Sequence, residues 1–102
     1  MAAVKTHVVY RPKQGKAQEL FALVMKHGPA LQSTGLIVGG KPAVYRAHNI
    51  RTNEDFFVEI FSWRDEQAGR AAHQAPEIMA VWEPMTPLLE SLEISVLDEV
   101  AA

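Results

Sequence analysis

The sequence predicts a small α+β domain in which strands and helices follow the order strand–helix–strand–strand–helix–strand. Two observations predict it. Apolar residues alternate with a period of two in four short segments, and they recur every three to four residues in two longer ones. The chain has 102 residues, of which 48% are hydrophobic and 22% are charged. This length and composition favour one globular domain with one core, spanning residues 1–102.

The first strand and the first helix are separated by a change of hydrophobic period. Residues 4–11 (VKTHVVYR) alternate as a strand does, and Pro12 ends this strand before a turn. From Ala17 onward the inward positions form the stripe of an amphipathic helix, namely Leu20, Val24, His27 and Leu31. Because proline interrupts helical hydrogen bonding, we expect this helix to bend or end at Gly28-Pro29.

Two further strands are predicted in the middle of the chain. The second begins at residues 36–38, is interrupted at residues 39–42 (GGKP) by a bulge or bend, and resumes over residues 43–48. The third strand, residues 55–63 (DFFVEIFSW), has the strongest β-propensity of any segment.

Two helices and a last strand complete the chain. A short helix is expected at residues 65–73, and a second begins at Pro76, with Trp82 on its apolar stripe, and continues to Leu89. Residues 92–97 alternate as a strand. The order β-α-β-β-α-β is the ferredoxin-like pattern, an antiparallel four-stranded sheet with the helices on one face.

The third strand is apolar on both of its faces. One face carries Phe56, Val58 and Ile60, and the other carries Phe57, Phe61 and Trp63. Because the helices can cover only one face of the sheet, the second apolar face requires another partner. A second copy of the chain is the simplest partner, so the sequence predicts a homodimer.

Charge and composition exclude several classes of function. The net charge is −2 and no basic patch is present, which argues against nucleic acid and anionic membranes as partners. The chain lacks cysteine, so thiolate catalysis and thiolate metal sites are excluded. Neither a signal peptide nor a membrane-spanning run is predicted, and we expect a cytoplasmic protein. Pro76 separates His73 from Glu77, so no metal site is predicted there.

Two segments resemble the antibiotic-biosynthesis monooxygenase-like family, whose members are dimeric α/β barrels. They are the turn PKQGK at residues 12–16 and the stretch FVEIFSWRDEQAGRAAHQAPEIMAVWEPMTPLLE at residues 57–90. The strand that ends in Trp63 with an acidic pair after it, the short helix that ends at His73, and the Pro87-Leu88-Leu89 exit follow the family's pattern. A heme-degrading branch is less similar, because the asparagine of its first strand is replaced by the sequence His7-Val8-Val9.

The resemblance implies a cofactor-independent monooxygenase that oxidises a small aromatic, quinol-type substrate with O2. His73 is the first candidate for a base or anion-binding group; a helix-end histidine that contacts terminal carbonyls is an equally weighted alternative. The candidate substrate-binding residues are Arg46 and His48 as donors, Phe61, Trp63 and Trp82 as walls, and His27 as a second interior histidine. A non-catalytic barrel that binds a small hydrophobic ligand, or a barrel isomerase, are the other functions that the sequence allows.

Overall fold

The computed structural model describes residues 2–101, and it contains one antiparallel sheet with its helices packed on one face. The strands are β1 (Val4–Pro12), β2 (Ile37–His48), β3 (Asp55–Trp63) and β4 (Leu89–Val96). The helices are α1 (Ala17–Thr34), α2 (Ala68–Ala72) and α3 (Pro76–Met85). The strand order is β2-β3-β1-β4, so the predicted ferredoxin-like α+β fold is confirmed.

The register of β1 and β3 decides which side chains meet beneath the helices. Val8 lies opposite Glu59, and Tyr10 lies opposite Phe57. Because diagonal neighbours on one face of a sheet are within reach of long side chains, Tyr10 and Glu59 can contact each other. Both are buried on the face that the helices cover.

Helix α1 does not end at Gly28-Pro29, so the expectation of an end at this site is wrong. The helix continues through Pro29 to Thr34 and terminates at Gly35, whose φ of 71° is the left-handed conformation that glycine adopts without strain. Pro29 removes one backbone donor from the helix. The turn that follows it buries Leu31 completely, and this apolar burial offsets the missing hydrogen bond.

The other element boundaries differ from the expectations mainly in the second half of the chain. The predicted interruption of β2 is present, since the pairing with β3 shifts between Val38 and Ala43, and Gly39 and Gly40 both have positive φ. Helix α3 does not reach Leu89. A single 3-10 turn, Thr86–Leu88, follows it, and β4 begins at Leu89 rather than at residue 92. Helix α2 is shorter than the predicted residues 65–73, and His73 is the residue that caps its end.

The face of the sheet that the helices leave uncovered is apolar at its centre and charged at one end. Val58 of β3 lies between Val9 of β1 and Tyr45 of β2, and more than half of the Tyr45 side chain is exposed. At the end of this face, Arg11 stacks over the ring of Phe56, with 5.1 Å from its guanidinium carbon to the ring centroid. Within residues 2–101, no helix is long and apolar enough to cross a membrane.

The continuation of α1 past Pro29 predicts a large stability cost for Leu31→Ala. Removing a completely buried leucine side chain leaves a cavity, so the free energy of unfolding should fall by about 2–5 kcal/mol. Met25→Ala, in the same helix at a half-exposed position, is the control and should cost less than about 1 kcal/mol. Urea denaturation of both variants is the measurement. Equal costs for the two variants would contradict a helix that buries Leu31.

Candidate active site

A cavity of about 360 Å³ lies between the helix-covered face of the sheet and the helices, and we call it the aromatic pocket. Its wall contains four aromatic side chains and two imidazoles, which are Tyr10, Phe61, Trp63, Trp82, His27 and His73. Aliphatic side chains of β4, Leu92 and Ile94, complete one side. This size and lining suit a small flat organic ligand that is held mainly by apolar contacts and oriented by a few polar groups.

A chain of hydrogen bonds runs from the wall of the pocket into the core. The indole Nε1–H of Trp82 donates to Nε2 of His27 at 2.8 Å. The other ring nitrogen of His27, Nδ1, lies 2.7 Å from Oε1 of Glu59. The phenol of Tyr10 donates to the same carboxylate oxygen at 2.5 Å. Helices α3 and α1 and strands β3 and β1 each contribute one of these four residues, so the tertiary fold brings the hydrogen-bonded residues together.

The donors in this series of hydrogen bonds fix the tautomer of His27. An indole nitrogen can only donate, so Nε2 of His27 must be the acceptor and carries no proton. The ring proton therefore lies on Nδ1, which donates it to Glu59. A carboxylate that holds Nδ1–H and leaves Nε2 as the basic nitrogen is the arrangement that orients the histidine of Ser-His-Asp triads as a general base.

Glu59 is the most deeply buried charged side chain of the described residues. Its relative exposure is 0%, and that of His27 is 2%. Oxygen Oε1 accepts both hydrogen bonds, whereas the buried oxygen Oε2 has no hydrogen-bond partner within residues 2–101. Burial of an incompletely satisfied carboxylate costs free energy.

Tyr10 remains a proton donor in this environment. Burial is the main cause that raises the pKa of its phenol, and the nearby charge of Glu59 and the hydrogen bond to it raise the pKa further. The phenolate form is therefore strongly disfavoured.

His73 and His27 occupy different places in the pocket. His73 follows α2, is exposed to solvent, and packs edge-on against Trp82, with ring centroids 5.0 Å apart. It makes no side-chain hydrogen bond to any residue in the range 2–101, whereas both nitrogens of His27 are engaged. The predicted residues Phe61, Trp63, Trp82, His27 and His73 thus meet in one pocket.

Arg46 and His48 lie outside the aromatic pocket. Arg46 lines a second groove, between α1 and β2, where its guanidinium stacks over Phe21 at 4.9 Å. His48 is exposed, and its hydrogen bond to Asp55, at 2.7 Å, raises its pKa. The structure therefore does not bring these two donors to the predicted walls. In the part of the chain from residue 2 to 101, no three acidic or histidine side chains cluster as metal ligands do.

Sequence reasoning did not select Tyr10 and Glu59 as site residues. One signal was available: Glu59 alternates with Phe57 and Phe61 on the same strand face, which makes it a carboxylate on an apolar face. Such a residue is expected to be buried and paired.

The burial of Tyr10 predicts how stability depends on pH. A group whose pKa is raised by folding stabilises the protein below its unfolded pKa, near 10, and this contribution is lost as the pH rises further. Between pH 10 and 11, wild type should lose about 1 kcal/mol more than Tyr10→Phe does. Denaturant unfolding at several pH values measures the difference, and Tyr45→Phe, at an exposed position, is the control. Parallel curves for wild type and Tyr10→Phe would contradict a buried neutral phenol.

Comparison with known proteins identifies the fold. No protein-family model and no curated protein sequence matches the chain. Solved structures match it along almost its whole length. A mutant of SnoaB, a cofactor-independent oxygenase from Streptomyces nogalater, superposes with a TM-score of 0.73 at 14% identity, covering 100% of this chain and 97% of that one.

Two other solved structures give similar superpositions. One described as an antibiotic biosynthesis monooxygenase has a TM-score of 0.73 at 12% identity, covering 96% of this chain and 99% of that chain. A dimeric ferredoxin-like protein of unknown function from Thermobifida fusca YX has a TM-score of 0.69 at 14% identity, covering 95% of this chain and 92% of that chain. The chain thus has the fold of the monooxygenase-like dimeric α/β barrels that its sequence resembles.

Proposed function

We propose that this protein is a cofactor-independent monooxygenase that oxidises a small aromatic, quinol-type substrate with O2. The observation that carries the proposal is a basic histidine nitrogen, oriented by a buried carboxylate, at the wall of an aromatic pocket. The pocket supplies flat apolar walls for an aromatic ring, and His27 supplies a proton acceptor for its hydroxyl. The fold shared with a cofactor-independent oxygenase supports the same reading.

The reaction needs no external electron donor. The hydroxyl proton passes to Nε2 of His27, and the electron-rich anion that forms is the reductant for O2. One oxygen atom enters the ring as a carbonyl, the ring carbon loses its hydrogen, and the second oxygen atom leaves as water. The substrate supplies all four electrons and two protons, so a monophenol gives the quinone and a quinol gives the hydroxyquinone. Exclusion of bulk water from such a pocket strengthens the electrostatic interactions that stabilise the anion.

A binding module is the second candidate function, and one contact favours it. The single lone pair of His27 Nε2 is already occupied by the indole N–H of Trp82. A protein that only binds a hydrophobic ligand could keep this hydrogen bond, whereas a monooxygenase must exchange it for the substrate hydroxyl.

Oxygen consumption with a panel of hydroquinones and anthrones tests the proposal. Wild type should consume O2, and His27→Gln should lower kcat by about 10²–10⁴-fold, because glutamine preserves hydrogen bonds but cannot take up a proton. His73→Gln should change kcat by less than about tenfold. Binding of the panel without O2 consumption would favour the binding module. A large loss for His73→Gln alone would transfer the role of base to His73.

We also propose that the protein is a homodimer that forms through the uncovered face of its sheet. Val58 lies at the centre of this face, on one of the two inner strands. A lysine there would bury a charge in the interface, so Val58→Lys should produce monomers while wild type has the mass of two chains. Sedimentation velocity measures both masses. Ile50→Lys, on the exposed turn between β2 and β3, is the control, and a dimeric Val58→Lys variant would place the interface elsewhere.

A further inference from the structure

Glu59 lies where the proton released by a substrate can be stored. Its carboxylate is completely buried, and among residues 2–101 its only ion-pair partner is His27. Burial of a carboxylate without a permanently charged partner is costly. Oxygen Oε2, buried and without a hydrogen bond in the described part of the chain, leaves the group poorly satisfied as an anion.

We propose that Glu59 stores the proton taken from the substrate while O2 is reduced, and that His27 relays it from the pocket to the core and back to the oxygen atom that leaves as water. This inference rests on the proposed function and extends it to the interior of the protein. The substrate O–H bond breaks and an Nε2–H bond forms on His27. The Nδ1–H bond of the same ring then breaks, and its proton moves to Oε1 of Glu59, which lies 2.7 Å from Nδ1. The imidazole remains neutral with its tautomer reversed, the carboxylate becomes a carboxylic acid, and the substrate becomes the anion.

The charge balance of the pocket is the physical reason for this relay. If His27 kept the proton, a new imidazolium–phenolate pair would have to form beside a carboxylate in an apolar pocket, where new charges are costly. With the relay, the site has one negative charge before and after the transfer. That charge moves from Glu59 to the substrate, which is where reduction of O2 requires it.

The neighbours of Glu59 are consistent with this direction of transfer. The titratable groups that face it are Tyr10 from β1 and His27 from α1. Tyr10 holds its own proton and donates a hydrogen bond to Oε1, so it steadies the carboxylate without supplying the proton that moves. The remaining imidazole of the pocket is His73, and it has no contact with the carboxylate among the hydrogen bonds of the described residues.

The Glu59→Gln substitution distinguishes two roles for Glu59, namely proton acceptor and structural hydrogen-bond partner. Glutamine keeps the size of the side chain and an acceptor oxygen for His27 and Tyr10, but it cannot take up the proton. We expect kcat to fall by about 10²–10⁴-fold, as for loss of a general base, while KM changes by less than about threefold. Glu59→Asp, which keeps a carboxylate, should recover part of the lost kcat. Glu54→Gln, at an exposed site, is the control. An unchanged kcat in a folded Glu59→Gln variant overturns the proposal and leaves the monooxygenase function standing.

A measurement without turnover tests the relay independently. Binding of 4-nitrophenol to wild type should produce the visible absorption of its phenolate together with the infrared C=O band of a newly protonated carboxylic acid. Glu59→Gln should bind the probe mainly as the neutral phenol. Both signals in a wild type that consumes no O2 would support the relay and refute the monooxygenase. Phenolate without the carboxylic-acid band, or failure of wild type to bind the phenol, would overturn the relay even if no variant folds.

Discussion

The hydrogen bond between Nδ1 of His27 and Oε1 of Glu59 joins the first helix to the third strand at the wall of the aromatic pocket. The hydrogen-bonding roles of the neighbouring polar groups follow from this bond. Because Glu59 takes the Nδ1 proton, Nε2 is left as an acceptor, and Trp82 on α3 supplies its donor. Tyr10 on β1 supplies the second donor to the same oxygen of the carboxylate. One buried pair thus fixes the tautomer of the histidine and the positions of two aromatic walls.

This pair is held in place by apolar packing rather than by further polar contacts. Leu20, Val24 and Leu31 share the inward stripe of α1 with His27, and each has a relative exposure of 0%. Their burial supplies free energy that offsets the desolvation of a histidine and a carboxylate. A core made only of apolar residues at these positions would be expected to be as stable or more stable. The buried pair is therefore weak evidence for a contribution to the stability of the fold.

The sequence was sufficient for features that depend on local periodicity. The alternation of β3 and the stripe of α1 predicted both elements, and the stripe also placed His27 in the interior. Local patterns could not supply the register that brings Tyr10 and Glu59 together, since these residues are 49 positions apart and meet only through the pairing of β1 with β3. The rule that proline ends helices also failed at Pro29. There, long-range burial of Leu31 outweighs the loss of one backbone donor.

The choice between His73 and His27 as the candidate base also depends on the difference between local and tertiary features. The sequence favours His73 because a helix end is a local feature, and His73 does line the pocket. The position of His27 beside a buried carboxylate is a tertiary feature. With its one basic lone pair held by Trp82, His27 can accept a proton only from a ligand whose own donor replaces the indole N–H. A hydroxyl group can make this exchange, since it restores the hydrogen bond that it displaces. A hydrocarbon of the same shape cannot, and it would leave Nε2 either blocked or buried without a donor. Under the proposed function, a hydroxylated ring would therefore react at this atom, whereas a hydrocarbon could bind but would not react.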